Sequence, residues 1–183
     1  MKYKITEEFI VANRKRLFRV QRVSDGLLGG YIEFERNLSQ EGDCFVYDNA
    51  RVFDNATVSD NARVYGEAIV FGDAVVSDNA KVYHDAGVYD NARVCGDSWV
   101  FGDAMVSGEA WVSCNAIVCG DARVCGNARV SGNAWVSGNA WVSGDAIVSY
   151  NARVHGDARV QTGHVTGEYI GEKKVYKKRV IMD

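Results

Sequence analysis

Residues 62–73 read Ala62-Arg63-Val64-Tyr65-Gly66-Glu67-Ala68-Ile69-Val70-Phe71-Gly72-Asp73, two copies of one hexapeptide. Its core is Ala-x-Val-x-Gly/Asp-Asn/Asp/Glu, and it runs without insertion over residues 44–163. Valine recurs at every sixth position from Val46 to Val160, twenty copies with no substitution. Alanine stands two residues before each, except that Cys44 and Ser98 take its place. A strict short period marks a solenoid. The hexad has a direct physical reading. Valine points inward from the middle of a short strand, and its two neighbours point outward because successive side chains alternate. The next two residues turn the corner, where Gly accepts positive φ and Asn or Asp tolerates it. Alanine then points inward where space is least.

If three hexads make one coil, every eighteenth residue shares a column. Twenty hexads then predict nearly seven coils, roughly 30 Å of stack at the ordinary strand spacing. Residues 1–43 are read as a β-rich N-terminal cap, since a solenoid end leaves a bare core and unpaired edges. Lys2–Ile5, Arg16–Val23 and Tyr31–Phe34 are its expected strands, with turns at Ser24-Asp25-Gly26 and Gly29-Gly30. After Val160 the phase breaks, so residues 164–183 are read as a closing segment and a basic tail, with Lys173, Lys174, Lys177, Lys178 and Arg179.

The chain has 183 residues, about one domain by length, and a net charge of −3, which argues against nucleic acid as a partner. Proline is absent, as suits a ladder in which every N–H must donate. Met1–Ile10 carries no apolar run of the signal-peptide kind, so a cytoplasmic protein without membrane contact is expected. No two of Cys44, Cys95, Cys114, Cys119 and Cys125 are one coil apart, which predicts reduced thiols and no metal cluster.

Segments such as Ala62–Glu67 and Ala128-Arg129-Val130-Ser131-Gly132-Asn133 resemble the hexapeptide repeats of left-handed parallel β-helix proteins. The resemblance covers residues 44–163 and implies three hexads per coil and the left hand, where physics alone favours a right-handed crossover. Gly26–Asp43 with Val46-Tyr47-Asp48-Asn49-Ala50 is similar to the leader of uncharacterised hexapeptide-repeat proteins of bacteria and their phages.

Sorting outward residues into columns locates the function. On the first face the residue after Val runs Tyr47, Tyr65, Tyr83, Phe101, Cys119, Ser137, His155, and the residue before Val includes Trp99 and Trp135. On the second face the after-Val column begins Phe53, Phe71, Tyr89. The third face, with Ser59, Ser77, Cys95, Ser113, Ser131 and Ser149, looks plain. Contiguous aromatic surface implies self-association. Tyr47, Phe53, Phe71, Tyr89, Trp99 and Trp135 are therefore the expected interface, and proteins of similar fold imply a homotrimer. One corner stacks Glu67, Asp85, Asp103 and Asp121 with no cation beside them; solvent screening is the plain reading and a bound cation the sharper one. The repeat departs most from consensus at Tyr83-His84-Asp85-Ala86-Gly87. Tyr65, Tyr83, His84, Asp85 and Phe101 are hence the candidate ligand-binding residues.

Catalytic signals are sparse. Many proteins of the resembled family are acyltransferases that use acyl-CoA, with a general-base His near a subunit boundary and a loop leaving the coil. This chain has no such loop between residues 44 and 163, and His155, on the first face, is the one weak candidate for that role. A three-His zinc site is excluded because His84 and His155 lie about four coils apart, roughly 19 Å. The third face carries Thr57 alone among its serines, so a flat Thr array for ice binding is absent. No nucleophile–base pair, phosphate loop or nucleotide-binding glycine motif is visible, and no cofactor or metal is expected. The expectation is a non-catalytic oligomeric scaffold or binding protein of phage or mobile-element type, sequestering a small ligand or a host protein. The alternative is a hexapeptide-repeat acyltransferase.

Overall fold

The computed structural model describes residues 1–171 and 175–176. Lys173, Lys174, Lys177, Lys178 and Arg179, the expected basic tail, lie outside the described residues. The chain is an all-β parallel solenoid of about 8 turns. The hexads form two-residue strands ending in their valine, for example Arg63–Val64, Ile69–Val70 and Val75–Val76, except that the strand of Val154 runs on to Gly156. Val46 pairs with Val64, Val64 with Val82 and Val82 with Val100, so one coil is three hexads. The repeat valines and alanines are buried and form one continuous core. Each valine contributes about 1.5–3 kcal/mol by burial, an upper range because the unfolded chain is itself partly collapsed.

Corners are held between coils as well as within them. Where the first corner residue is Asp, its carboxylate accepts the backbone N–H of the corner one coil later: Asp48 from Gly66 at 2.9 Å, Asp78 from Gly96 at 2.8 Å, Asp90 from Gly108 at 3.0 Å. Their positive φ, and that of His84, Cys114 and Tyr150, is the left-handed conformation expected there. Asparagines at the second corner position form amide ladders, such as Asn61 to Asn79 and Asn115 to Asn133. Ser98, in an alanine slot, donates its hydroxyl to the Cys95 carbonyl at 2.7 Å and so is buried without an orphaned group.

The turn number exceeds the expected seven because both flanks join the ladders. Strand β1 (Tyr3–Ala12) pairs antiparallel with β2 (Lys15–Arg22), and β2 with β3 (Leu28–Ile32). β3 then runs parallel to Arg51–Val52, and Leu38 bridges to Val58. Gly29 and Gly30 are therefore inside a strand and not a turn. A Cβ at either would come within 2.4 Å of a backbone carbonyl, that of Val46 or Ala50, so glycine is what lets β3 lie against the first coil. At the other end the coil shortens by one residue, and Val165 pairs with Val148. Glu168–Gly171 and Val175–Tyr176 extend the first and second sheets.

Tyr3 plugs the N-terminal end. It is wholly buried, and its hydroxyl donates toward the Leu38 carbonyl at 2.6 Å and the Glu35 carbonyl at 2.9 Å. Burial, with the nearby Glu35 carboxylate, pushes its phenol up to about 12.

Candidate functional site

Tyr65, Tyr83 and Phe101 stand in one column, and their rings stack. Tyr65–Tyr83 centroids are 4.7 Å apart with planes 1° off parallel, and Tyr83–Phe101 are 4.8 Å and 11°. His84 lies edge-on to Tyr83 at 4.8 Å and to Phe101 at 6.3 Å. Four of the five expected ligand residues thus come together. Both faces of Tyr83 are covered by its neighbours, so that ring is a structural rung. Asp85 is exposed at the corner, and Gly87 falls on the second face.

The stack ends at Tyr65. Tyr47, one coil earlier, turns aside and packs edge-on against Phe45 at 5.0 Å. Beside Tyr65 lies an open groove of about 340 Å³ lined by Tyr47, Asp48, Arg63, Tyr65 and Lys81. It adjoins a second groove toward the cap, which shares Tyr47 and Arg63 and includes Lys2 and Arg22. Burial pushes the Tyr65 phenol up, and the Arg63 cation opposes it.

The second-face stack is Phe53, Phe71 and Tyr89, with centroids 5.2 and 5.1 Å apart. Phe53 is only 2% exposed, packed with Leu17 of β2 and Tyr31 of β3. It holds the cap to the solenoid and offers no surface to a second subunit, contrary to the sequence expectation. The column pattern could not show this, because the cap strands carry no repeat that places them. The third face is not plain either: Trp111 and Ile147 are exposed on it, as Trp99 and Trp135 are on the first and Met105 and Trp141 on the second.

These indoles follow a rule that links columns. Trp111 donates its Nε1–H to Cys95 Sγ at 3.0 Å, Trp135 to Cys119 at 3.1 Å and Trp141 to Cys125 at 3.1 Å. Each reaches from the position before Val to the position after Val one coil earlier, sixteen residues back. Trp99 meets Tyr83 at the same offset, edge-on at 6.4 Å. Arg153 and Arg159 lie over Trp135 and Trp141 at 5.9 and 5.4 Å, and Lys81 over Trp99 at 4.6 Å. Burial raises the Cys119 thiol, with the indole donor opposing. The spacing Trp-to-Cys of sixteen was present in the sequence and is the signal that finds these pairs.

Two further expectations change. One member of the acidic corner has a cation: Arg51, one coil before, reaches Glu67 at 3.5 Å, and Asn49 donates to the same carboxylate at 2.7 Å. A serine–histidine pair does exist. The shortened last coil puts His164 in register with Ile147, and its Nε2 lies 2.5 Å from Ser149 Oγ in a groove that also contains Arg129 and Tyr150. His155 is elsewhere, half-buried on the first face. Among the described residues, no group of three or more His, Cys, Asp or Glu converges on a metal position, and no helix is long and apolar enough to cross a membrane.

The YdcK beta solenoid repeat family model matches residues 45–60, 50–66, 62–78 and 122–138. These segments supply strands to all three sheets. No curated protein matches the chain.

Proposed function

Taking the chain as a β-solenoid repeat protein, we propose a non-catalytic binding scaffold that assembles side by side, as a trimer, through its first face. The observation that carries this reading is the pair of exposed indoles there, Trp99 at 39% and Trp135 at 41%, on a flat parallel ladder beside the ring stack. Exposed indoles on a rigid surface are the side chains that anchor protein interfaces. The polar edge of Trp135 is already hydrogen-bonded within the chain, so a partner meets the indole rings together with the cations that lie over them, Arg153 at Trp135 and Lys81 at Trp99. Five free thiols fit a reducing compartment such as the cytoplasm. Its cargo is a small ligand or a host protein, in keeping with the phage-like leader.

Light scattering at micromolar concentration tests the assembly. The expected mass is three times the 20.1 kDa chain, and a Trp99→Lys/Trp135→Lys variant is expected to fall to the mass of one chain. A wild-type protein of 20.1 kDa removes the reading.

One observation favours a second reading, an acyltransferase: the Ser149–His164 contact beside Arg129. A His within hydrogen-bond reach of a hydroxyl is the minimal general-base arrangement. Turnover of acyl-CoA lost in His164→Ala but kept in His155→Ala supports it. No turnover with a panel of amine and alcohol acceptors counts against it.

A further inference from the structure

The ring stack on the first face stops at Tyr65, and three observations meet where it stops. Tyr83 covers one face of the Tyr65 ring, 4.7 Å away and parallel. Tyr47 has turned onto Phe45, so among the described residues no ring stacks on the other side. The groove at that place is bordered by two cations in vertical register, Arg63 and Lys81. Arg63 is exposed and has no ion pair among the described residues, while Lys81 rests its ammonium over Trp99. The one carboxylate in the groove, Asp48, is held by the Gly66 N–H at 2.9 Å.

We propose that this groove binds a planar aromatic anion, its ring continuing the stack on Tyr65 and its carboxylate or phosphate meeting Arg63 and Lys81. The chemistry follows from the parts. A tyrosine face accepts an offset-stacked ring, and a rung already in a rigid stack loses no side-chain freedom on binding. Guanidinium and ammonium groups take an anion by charge-assisted hydrogen bonds. A neutral ring leaves Arg63 without an ion pair and Lys81 with its Trp99 contact alone, and a non-aromatic anion leaves the ring face uncovered, so both halves are needed. This names the ligand class for the binding reading above and rests on it, but the groove belongs to one chain and does not depend on the trimer.

The test is isothermal titration of the full chain with naphthoate, naphthyl phosphate, naphthamide and cyclohexanecarboxylate. Either aromatic anion is expected to bind at least about tenfold more tightly than naphthamide and cyclohexanecarboxylate. The tighter of the two identifies the head group as carboxylate or phosphate. Arg63→Met/Lys81→Met is expected to lose that advantage while leaving naphthamide binding unchanged. Equal binding of naphthamide, or no binding of either aromatic anion, overturns the proposal. Should the double variant not fold, the comparison of the four compounds on the wild type decides alone. Light scattering on the same sample separates the two proposals. A monomer that binds the anion removes the trimer and keeps this site, and a trimer that binds neither anion removes this site and keeps the assembly.

Discussion

Tyr83→Leu tests whether the first-face rings hold the solenoid together or stand ready for something else. The Tyr83 ring is sandwiched at 4.7 Å from Tyr65 and 4.8 Å from Phe101, with edge contacts from His84 and Trp99. Each parallel contact contributes about 0.5–1.5 kcal/mol beyond area burial, so losing both costs about 1–3 kcal/mol. Leucine keeps much of the apolar area, which places the expected loss near the middle, about 2 kcal/mol. Tyr83→Phe keeps the ring and is expected to cost almost nothing, because among the described residues the hydroxyl has no hydrogen-bond partner. The assay is guanidinium unfolding followed by circular dichroism, at two protein concentrations. Since each coil of a solenoid touches only its neighbours, hydrogen exchange should show the loss at the amides of Tyr65 and Tyr83, which donate to Val82 and Val100. A loss below about 0.5 kcal/mol refutes the reasoning and frees the whole column for a partner. A loss that appears only at the higher concentration assigns the stack to an interface instead.

Raising the pH tests the plug at the N-terminal end. The folded phenol of Tyr3, at about 12, lies above its ordinary 10.0, so the neutral form is favoured in the fold. Its contribution is whole below pH 10 and is lost as pH rises toward 12; the stability difference between wild type and Tyr3→Phe should shrink by about 1–2 kcal/mol over that range. A difference that stays flat with pH removes the linkage. Thiol alkylation tests the indole pairs. Cys114 is exposed and should react first, Cys119 slowly, and Trp135→Phe should speed Cys119 by opening its cover. Equal rates at Cys119 in both proteins, read by mass spectrometry, would show that the indole does not guard it. Gly30→Ala drives a Cβ into the Ala50 carbonyl and should cost about 3 kcal/mol, with loss of exchange protection across β3. An unchanged unfolding midpoint would mean that β3 can move off the first coil.

The coil was legible because the same inference could be made twenty times over, each valine correcting the next. Column membership followed from it, and Tyr65, Tyr83 and Phe101 do stack in one column. What a period cannot convey is a contact that crosses columns or leaves the repeat. Trp135 reaches Cys119 along a diagonal, and only a side-chain direction distinguishes that from the vertical neighbour Ile117. Gly29-Gly30 has the composition of a turn, yet the pair serves close approach, which depends on a partner strand some twenty residues away. His164 met Ser149 because one residue was lost from the last coil, and the effect of a phase slip on register is invisible until the ladder resumes. Identical rungs propagate the ladder, and the first-face column departs from that pattern at Tyr47, where the stack gives way to a groove flanked by Arg63 and Lys81.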